Sequence, residues 1–208
     1  PSELELSSAY RVNRHTVRQA VGELCRTGVL YKVRGRGTFV AKPPVDLVEY
    51  RLSPKNRFSD NIRQAGKTPG SKLLGFKEIL PPPAAREGLG LAEGDSVWDL
   101  AVLRLINGQP FLLAKVYWPT GRFPGLPAKL ADFTSLSAIY EAYGFWPRRV
   151  KSVLRASFPS QEEAIVLAIP GNMPVLKTEN SLKSQDDVLI EYSVSCYRGD
   201  LAKIVVEW

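Results

Sequence analysis

The stretch RVNRHTVRQAVGELCRTG, residues 11–28, constrains the fold more than any other part of the chain. Asn13 can accept from the free N–H groups of a first helical turn, which makes it an N-cap. Val17, Ala20, Val21 and Leu24 then recur at i, i+3, i+4 and i+7, one apolar stripe of a helix. Gly28 suits a left-handed C-terminal cap. The opposite face carries Arg14, His15, Arg18, Gln19 and Gly22, so the helix is expected to dock by one side and present the other. Leu4, Leu6 and Ala9 predict a short helix over 2–9, joined to it by a tight turn through Arg11.

VLYKVRGRGTFVAK follows, two β-rich runs around Arg34-Gly35-Arg36-Gly37. Glycines supply the positive φ that a tight hairpin needs. A phosphate-cradling nucleotide loop would need a helix after the glycines and a Gly-Lys-Ser/Thr ending. Neither is present, so this is a basic hairpin.

Charge placement agrees. The net charge is +7, and residues 1–42 hold eight Lys/Arg against three Asp/Glu, while the remaining 166 hold twenty against eighteen. A basic front fifth favours a polyanionic partner there. Helix, turn, basic helix and basic hairpin in that order make a winged helix-turn-helix, and its partner is double-stranded DNA. Arg14 and Arg18 would reach guanine edges or phosphates in the major groove. Arg11, Asn13, His15, Thr16 and Gln19 offer further polar contacts. Arg34, Gly35, Arg36 and Gly37 would form a wing reaching the minor groove or the backbone. The plainer alternative is an amphipathic helix with solvated arginines. Cap, stripe, basic face and hairpin agreeing in order weigh against it.

Residues 43–53, opening on Pro43-Pro44, read as a linker, because paired prolines break both helix and ladder hydrogen bonding. The organisation is thus 1–42 as DNA-binding domain, 43–53 as linker and 54–208 as a second domain. In the latter, strand-like runs lie near 73–80, 96–107, 110–118, 148–158, 174–184, 188–198 and 202–207. Helical patterns lie near 58–65, 84–90, 137–143 and 161–168. Asn107-Gly108 between two runs is a strong hairpin signal. The fold class is α+β with a largely antiparallel sheet.

No run of about eighteen apolar residues suggests a membrane span, and no secretory signal opens the chain. A cytoplasmic protein without membrane contact is expected. Cys25 and Cys196 fall in apolar-periodic segments and read as buried free thiols. One histidine and two distant cysteines cannot supply ordinary zinc spacing, and no cofactor motif appears.

The segment PSELELSSAYRVNRHTVRQAVGELCRTGVLYKVRGRGTFV resembles the DNA-binding domain of GntR-family bacterial repressors. The pattern is Pro-Ser-Glu, then Asn-Arg-His-Thr-Val-Arg, then Gly-x-Gly-Thr-Phe-Val. That family has another helix before Pro-Ser-Glu, so the resemblance implies a winged helix-turn-helix truncated at its N-terminus. RFSDNIRQAGKTPGSKLLG, RLINGQP and EYSVSCYRGD make the second domain similar to the effector-binding UTRA domain of the HutC branch, which implies a chorismate-lyase-like fold. Arg57-Phe58-Ser59 with Asn61, Arg148-Arg149 and Glu191-Tyr192-Ser193-Val194-Ser195 look most like regulators of phosphonate metabolism. The implied function is a homodimeric repressor released by a small anionic effector. Phosphonate, phosphate or a phosphorylated metabolite heads the candidates; an amino-sugar phosphate or a histidine-pathway metabolite is the alternative. A lyase-like enzyme and a bare interaction module are the other classes. No nucleophile–base pair supports an enzyme, since the sole histidine lies in the DNA-reading helix, and no catalytic residue is assigned.

For the effector, Lys67-Thr68-Pro69-Gly70-Ser71-Lys72 reads as an N–H-rich turn able to face an anion. Arg104 shares an apolar strand face with Trp98, Leu100, Val102 and Ile106, and such a charge needs a partner. A phosphate or phosphonate would serve, and so would an ion pair with Glu191. Arg148 shares its strand parity with Val150, Leu154 and Ala156, which predicts Arg148 rather than Arg149 as the inward ligand. Glu191, Ser193, Ser195 and Tyr197 form a polar row that could line a pocket or face water. By resemblance, Thr68, Gly70, Ser71 and Arg104 hold the anionic group, and Glu191 and Tyr197 contact the rest. Many relatives have an arginine where this chain has Val102; Arg57, beside Ser59, and Arg148 are the candidates to compensate.

Overall fold

The computed structural model describes residues 1–33, 35–40, 47–54 and 57–206. The chain forms two compact units, residues 1–45 and 46–208.

In the first unit, α1 (Glu3–Tyr10) opens with a reciprocal capping box between Ser2 and Glu5. Arg11 takes a left-handed φ of 54° and turns the chain. Asn13 then caps α2 (Arg14–Arg26), its Oδ1 accepting from the Thr16 N–H at 2.8 Å. At the far end the Gly28 N–H donates to the Cys25 carbonyl and the Val29 N–H to that of Leu24, with Gly28 at φ 76°. That pair of bonds is the Schellman arrangement which glycine permits. β1 (Leu30–Val33) and β2 (Gly37–Val40) make the antiparallel hairpin, Val33 opposite Gly37 and Tyr31 stacked on Phe39 at 5.6 Å. The buried line on α2 differs from the expected stripe. Val17 is buried, Val21 and Cys25 are half-buried, and Ala20 and Leu24 are exposed. A period nearer four sets the docked face, and Cys25 is accordingly only half-buried.

The second unit centres on a six-stranded sheet in the order β4-β5-β6-β9-β8-β7, antiparallel throughout. Its strands are β4 (Pro69–Ile79), β5 (Val97–Ile106), β6 (Gln109–Pro119), β7 (Arg148–Ser157), β8 (Val175–Lys183) and β9 (Leu189–Arg198). β5 and β6 join through Asn107-Gly108, both at positive φ as a two-residue hairpin requires. Alternation then decides the layers. Leu100, Val102 and Ile106 of β5 face one core with α3 (Phe58–Gln64), α5 (Leu126–Leu130) and α6 (Leu136–Ala142). Leu103 and Leu105 face the other, against α7 (Gln161–Leu167), and α4 (Pro83–Leu89) packs with Val97, Tyr117 and Tyr192. Cys196 lies in the α7 layer, where burial pushes its thiol up to about 12.

Two expectations change here. The linker extended to residue 53, yet Val48–Leu52 forms β3, pairing in parallel with β10 (Ala202–Val206). VEYRL alternates as a strand should, with Val48, Tyr50 and Leu52 buried in the first core; neighbouring prolines hid that period. Positions 43–46 and Arg34 lie outside the described residues. The expected turn at 67–72 is also mostly strand: Pro69 to Lys72 pair with Ile106 to Leu103.

Candidate functional site

Between the sheet and the α3–α6 layer lies a cavity of about 100 Å³. Its floor is the polar row of β9, whose Glu191, Ser193, Ser195 and Tyr197 are buried and line the cavity. Neighbouring β8 contributes Asn180 opposite Ser193, and Asn180 is fixed by Ser152 at 2.7 Å and Thr178 at 3.1 Å. Tyr50 of β3, Phe58 of α3 and Tyr140 of α6 close the aromatic side.

Arg104 projects into this space from β5 and is 7% exposed. Its Nη1 donates to the Ser71 Oγ at 2.6 Å, and its guanidinium lies 5.1 Å from the Phe58 ring centre. No carboxylate among the described residues comes within ion-pair distance of it. Burial pulls its pKa below the ordinary arginine range, opposed by the nearby Tyr50 and Glu191. The expected alternative, an ion pair with Glu191, is not formed. That carboxylate accepts instead from the Trp118 indole at 3.0 Å and from the Tyr140 hydroxyl. Burial, reinforced by Glu191, holds Tyr140 well above the usual tyrosine range, so it stays a donor. A buried guanidinium satisfied only by a hydroxyl and a ring face is an anion-attracting centre.

The other candidates divide. Arg57 reaches the cavity but is paired with Glu141 at 2.6 Å and lies over Trp146. Ser71 lies outside the lining, and its hydroxyl accepts from Arg104. Ser59 sits half-buried on the first turn of α3, outside the lining. Thr68 is exposed, and its N–H is spent on the Asn107 Oδ1 at 2.9 Å. Gly70 packs under Leu105, where a Cβ would come within 3.1 Å. Arg148 is exposed and bound to Asp187, so the preference for it over Arg149 reverses. The cause is a bulge: Arg149 opposes Leu182 and Lys151 opposes Ser181, leaving Val150 unpaired. The extra residue flips strand parity, and Arg149 joins Leu182 and Asn180 in the cavity wall. Simple alternation carries no sign of such a bulge.

In the first unit, Arg14, His15, Thr16, Arg18 and Gln19 are exposed on the first two turns of α2, with Arg11 in the preceding turn. Asn13 and Thr16 are engaged with each other as the cap, the Thr16 hydroxyl donating at 3.0 Å. Arg18 pairs with Glu3 of α1 at 3.1 Å. Gly35 and Gly37 have φ of 75° and 111°, and Arg36 closes the hairpin through its N–H to the Val33 carbonyl at 3.0 Å.

A helix-turn-helix unit with a wing, followed by a ligand-sized polar cavity in an α+β unit, defines an effector-responsive DNA-binding regulator. The chain belongs to the GntR family of bacterial regulatory proteins, in its HutC-type, UTRA-containing branch. The family described as "Bacterial regulatory proteins, gntR family" matches residues 1–40, and the UTRA domain matches residues 64–203. The HTH-type transcriptional repressor NagR of Bacillus subtilis (strain 168) is 33% identical, covering 96% of this chain and 81% of that protein. The probable transcriptional regulator PhnF of Escherichia coli (strain K12) is 32% identical over 100% and 85%. The crystal structure of PhnF from Mycobacterium smegmatis matches with a TM-score of 0.71 at 27% identity, over 100% of this chain and 90% of that one. These families and relatives are transcriptional regulators and not enzymes, so the chain is a transcriptional regulator. Among the described residues no helix is long and apolar enough to cross a membrane.

Proposed function

We propose that the chain is a cytoplasmic repressor whose cavity takes a small phosphate- or phosphonate-bearing effector, and that binding lowers its affinity for operator DNA. The observation that carries this reading is Arg104, buried without an ion-pair partner among the described residues and facing a row of hydroxyls. An oxyanion there gains charge-assisted hydrogen bonds and relieves the cost of burying the guanidinium.

Size narrows the ligand. A volume of about 100 Å³ suits an oxyanion with a short carbon arm and falls below the roughly 300–1,000 Å³ of sites for drug-sized molecules. That favours phosphate or a small alkylphosphonate over an amino-sugar phosphate. Calorimetric titration with inorganic phosphate, methylphosphonate and glucosamine 6-phosphate tests the order. Binding of the sugar phosphate alone would reverse it.

DNA contact is assigned to Arg11, Arg14, His15, Arg18 and Gln19 on the helix side, and to the wing through Arg34 to Gly37. One short helix reads few base pairs, so the operator-binding species is a homodimer reading two half-sites. The exposed apolar side chains of edge strand β7, Val150, Val153 and Leu154, offer the sensing unit a pairing surface. Sedimentation equilibrium across micromolar concentrations tests this, and a persistent monomer would contradict it.

A further inference from the structure

Arg149 stands apart from the other cavity residues because it touches two things at once. It lines the cavity from β7 beside Leu182. It also grips the chain segment that leaves β3: its backbone N–H donates to the Pro54 carbonyl at 2.8 Å, and its Nη1 donates to the Ser53 carbonyl at 3.3 Å. The second bond is long, and the Nε is buried without a hydrogen-bond partner among the described residues. No carboxylate among the described residues pairs with this guanidinium. Its grip on Ser53 is therefore weak, and an anion in the cavity would compete for it by bringing an opposite charge and shorter, bidentate bonds to the same guanidinium.

The segment it holds is not arbitrary. Tyr50 and Pro54 of the same stretch also line the cavity, and Tyr50 packs on Tyr197 at 5.5 Å. β3 starts within three residues of the boundary between the two units. Among the described residues β10 is its one strand partner, and the Asn61 side chain brackets the Arg51 backbone, accepting from its N–H and donating to its carbonyl, each at 3.1 Å. The stretch 48–54 is thus at once a cavity wall and the first described strand of the second unit.

We propose that Arg149 is the residue through which an effector anion acts on this stretch: on binding, its guanidinium leaves the Ser53 carbonyl for the anion, and the end of β3 is released. This rests on the anion-binding reading of the cavity. In it, Arg104 supplies the fixed charge and Arg149 the movable one. The coupling requires only that the anion bind the released arrangement more tightly than the held one.

Hydrogen exchange of the full chain, read at residues 47–54 with and without saturating inorganic phosphate or methylphosphonate, tests it. The wild-type chain should exchange roughly threefold or more faster in this segment once saturated. Arg149→Met keeps the length of the side chain and removes its donors. It should bind the same anion about tenfold more weakly and, at saturation, show no change in 47–54. Arg149→Lys retains the charge without the fork and should bind more tightly than the Met variant while transmitting less than wild type. If the wild type binds the anion and 47–54 is unchanged or slowed, the inference is overturned while the cavity reading stands. An Arg149→Met chain that responds as wild type does would overturn it equally. If neither anion binds the wild-type chain, the cavity reading fails and this inference with it.

Discussion

Ser71 and Arg104 stand directly opposite each other in the β4–β5 ladder, and Arg104 donates to the Ser71 hydroxyl at 2.6 Å. A hydroxyl orients the guanidinium without neutralising it. Among the described residues the charge stays buried without an ion-pair partner, which costs stability in the free chain and is useful only when an anion arrives. Arg104→Met is therefore predicted to stabilise the ligand-free chain by about 1 kcal/mol or more, seen as a melting temperature about 2–4 °C higher for each kcal/mol. The same variant should lose its melting response to phosphate. A fall of several degrees would make Arg104 a structural element.

Arg18 and Arg36 should separate in their contributions to DNA binding. Arg18 lies exposed on the second turn of α2 with Glu3 as its only ion-pair partner among the described residues. Arg18→Ala should cost roughly 1–3 kcal/mol on cognate DNA and little on random sequence. Arg36→Ala should weaken both and flatten the salt dependence. Fluorescence anisotropy across a salt series reads both effects. Equal losses for Arg18→Ala on the two DNAs would remove its base-reading role.

Much of this was legible in the chain, and what was not has identifiable causes. α2 and the wing follow from the cap, glycines and arginines that are local to them. The sheet follows from runs whose β character needs no partner to be seen. β3 was hidden because a five-residue alternation beside prolines resembles a linker, and only β10, some 150 residues away in the sequence, makes it a strand. That Arg104, Glu191 and Tyr197 share one cavity was legible because a charge on an apolar face and a polar row are visible one strand at a time. Arg149 was missed because its orientation depends on the bulge against β8, a property of the pair of strands and not of either sequence. Thr68 and Gly70 were misplaced because a Thr-Pro-Gly-Ser run has turn composition, while Pro69 to Ser71 start β4 and Thr68 just before them bonds to the Asn107 side chain.

Glu163 gives the second unit a pH-dependent anchor. Burial pushes its carboxyl up, but the Lys177 ammonium at 2.8 Å and the Ser160 N–H at 2.6 Å outweigh it, leaving the group below its usual range. With a depressed folded value, its contribution is full above the unfolded carboxylate range of about 4.3 and is lost as pH falls through the folded value. Glu163→Gln keeps the cap geometry and removes the charge. It should lower stability by about 1 kcal/mol at pH 7, a difference that shrinks towards zero on acidification below the unfolded value. Denaturant melts at several pH values read it, and a pH-independent difference would contradict the assignment.

Coupling of a small anion to DNA release within one chain is tested most directly by a single titration. Labelled DNA from upstream of the protein's own gene is titrated with the protein, with and without saturating methylphosphonate, at fixed ionic strength. A coupling of about 1–3 kcal/mol predicts DNA affinity lower by roughly 5–150-fold when the anion is present. Calorimetry confirms saturation in the same buffer. An unchanged DNA affinity with the anion demonstrably bound would contradict the coupling, because a ligand that favours neither arrangement shifts nothing.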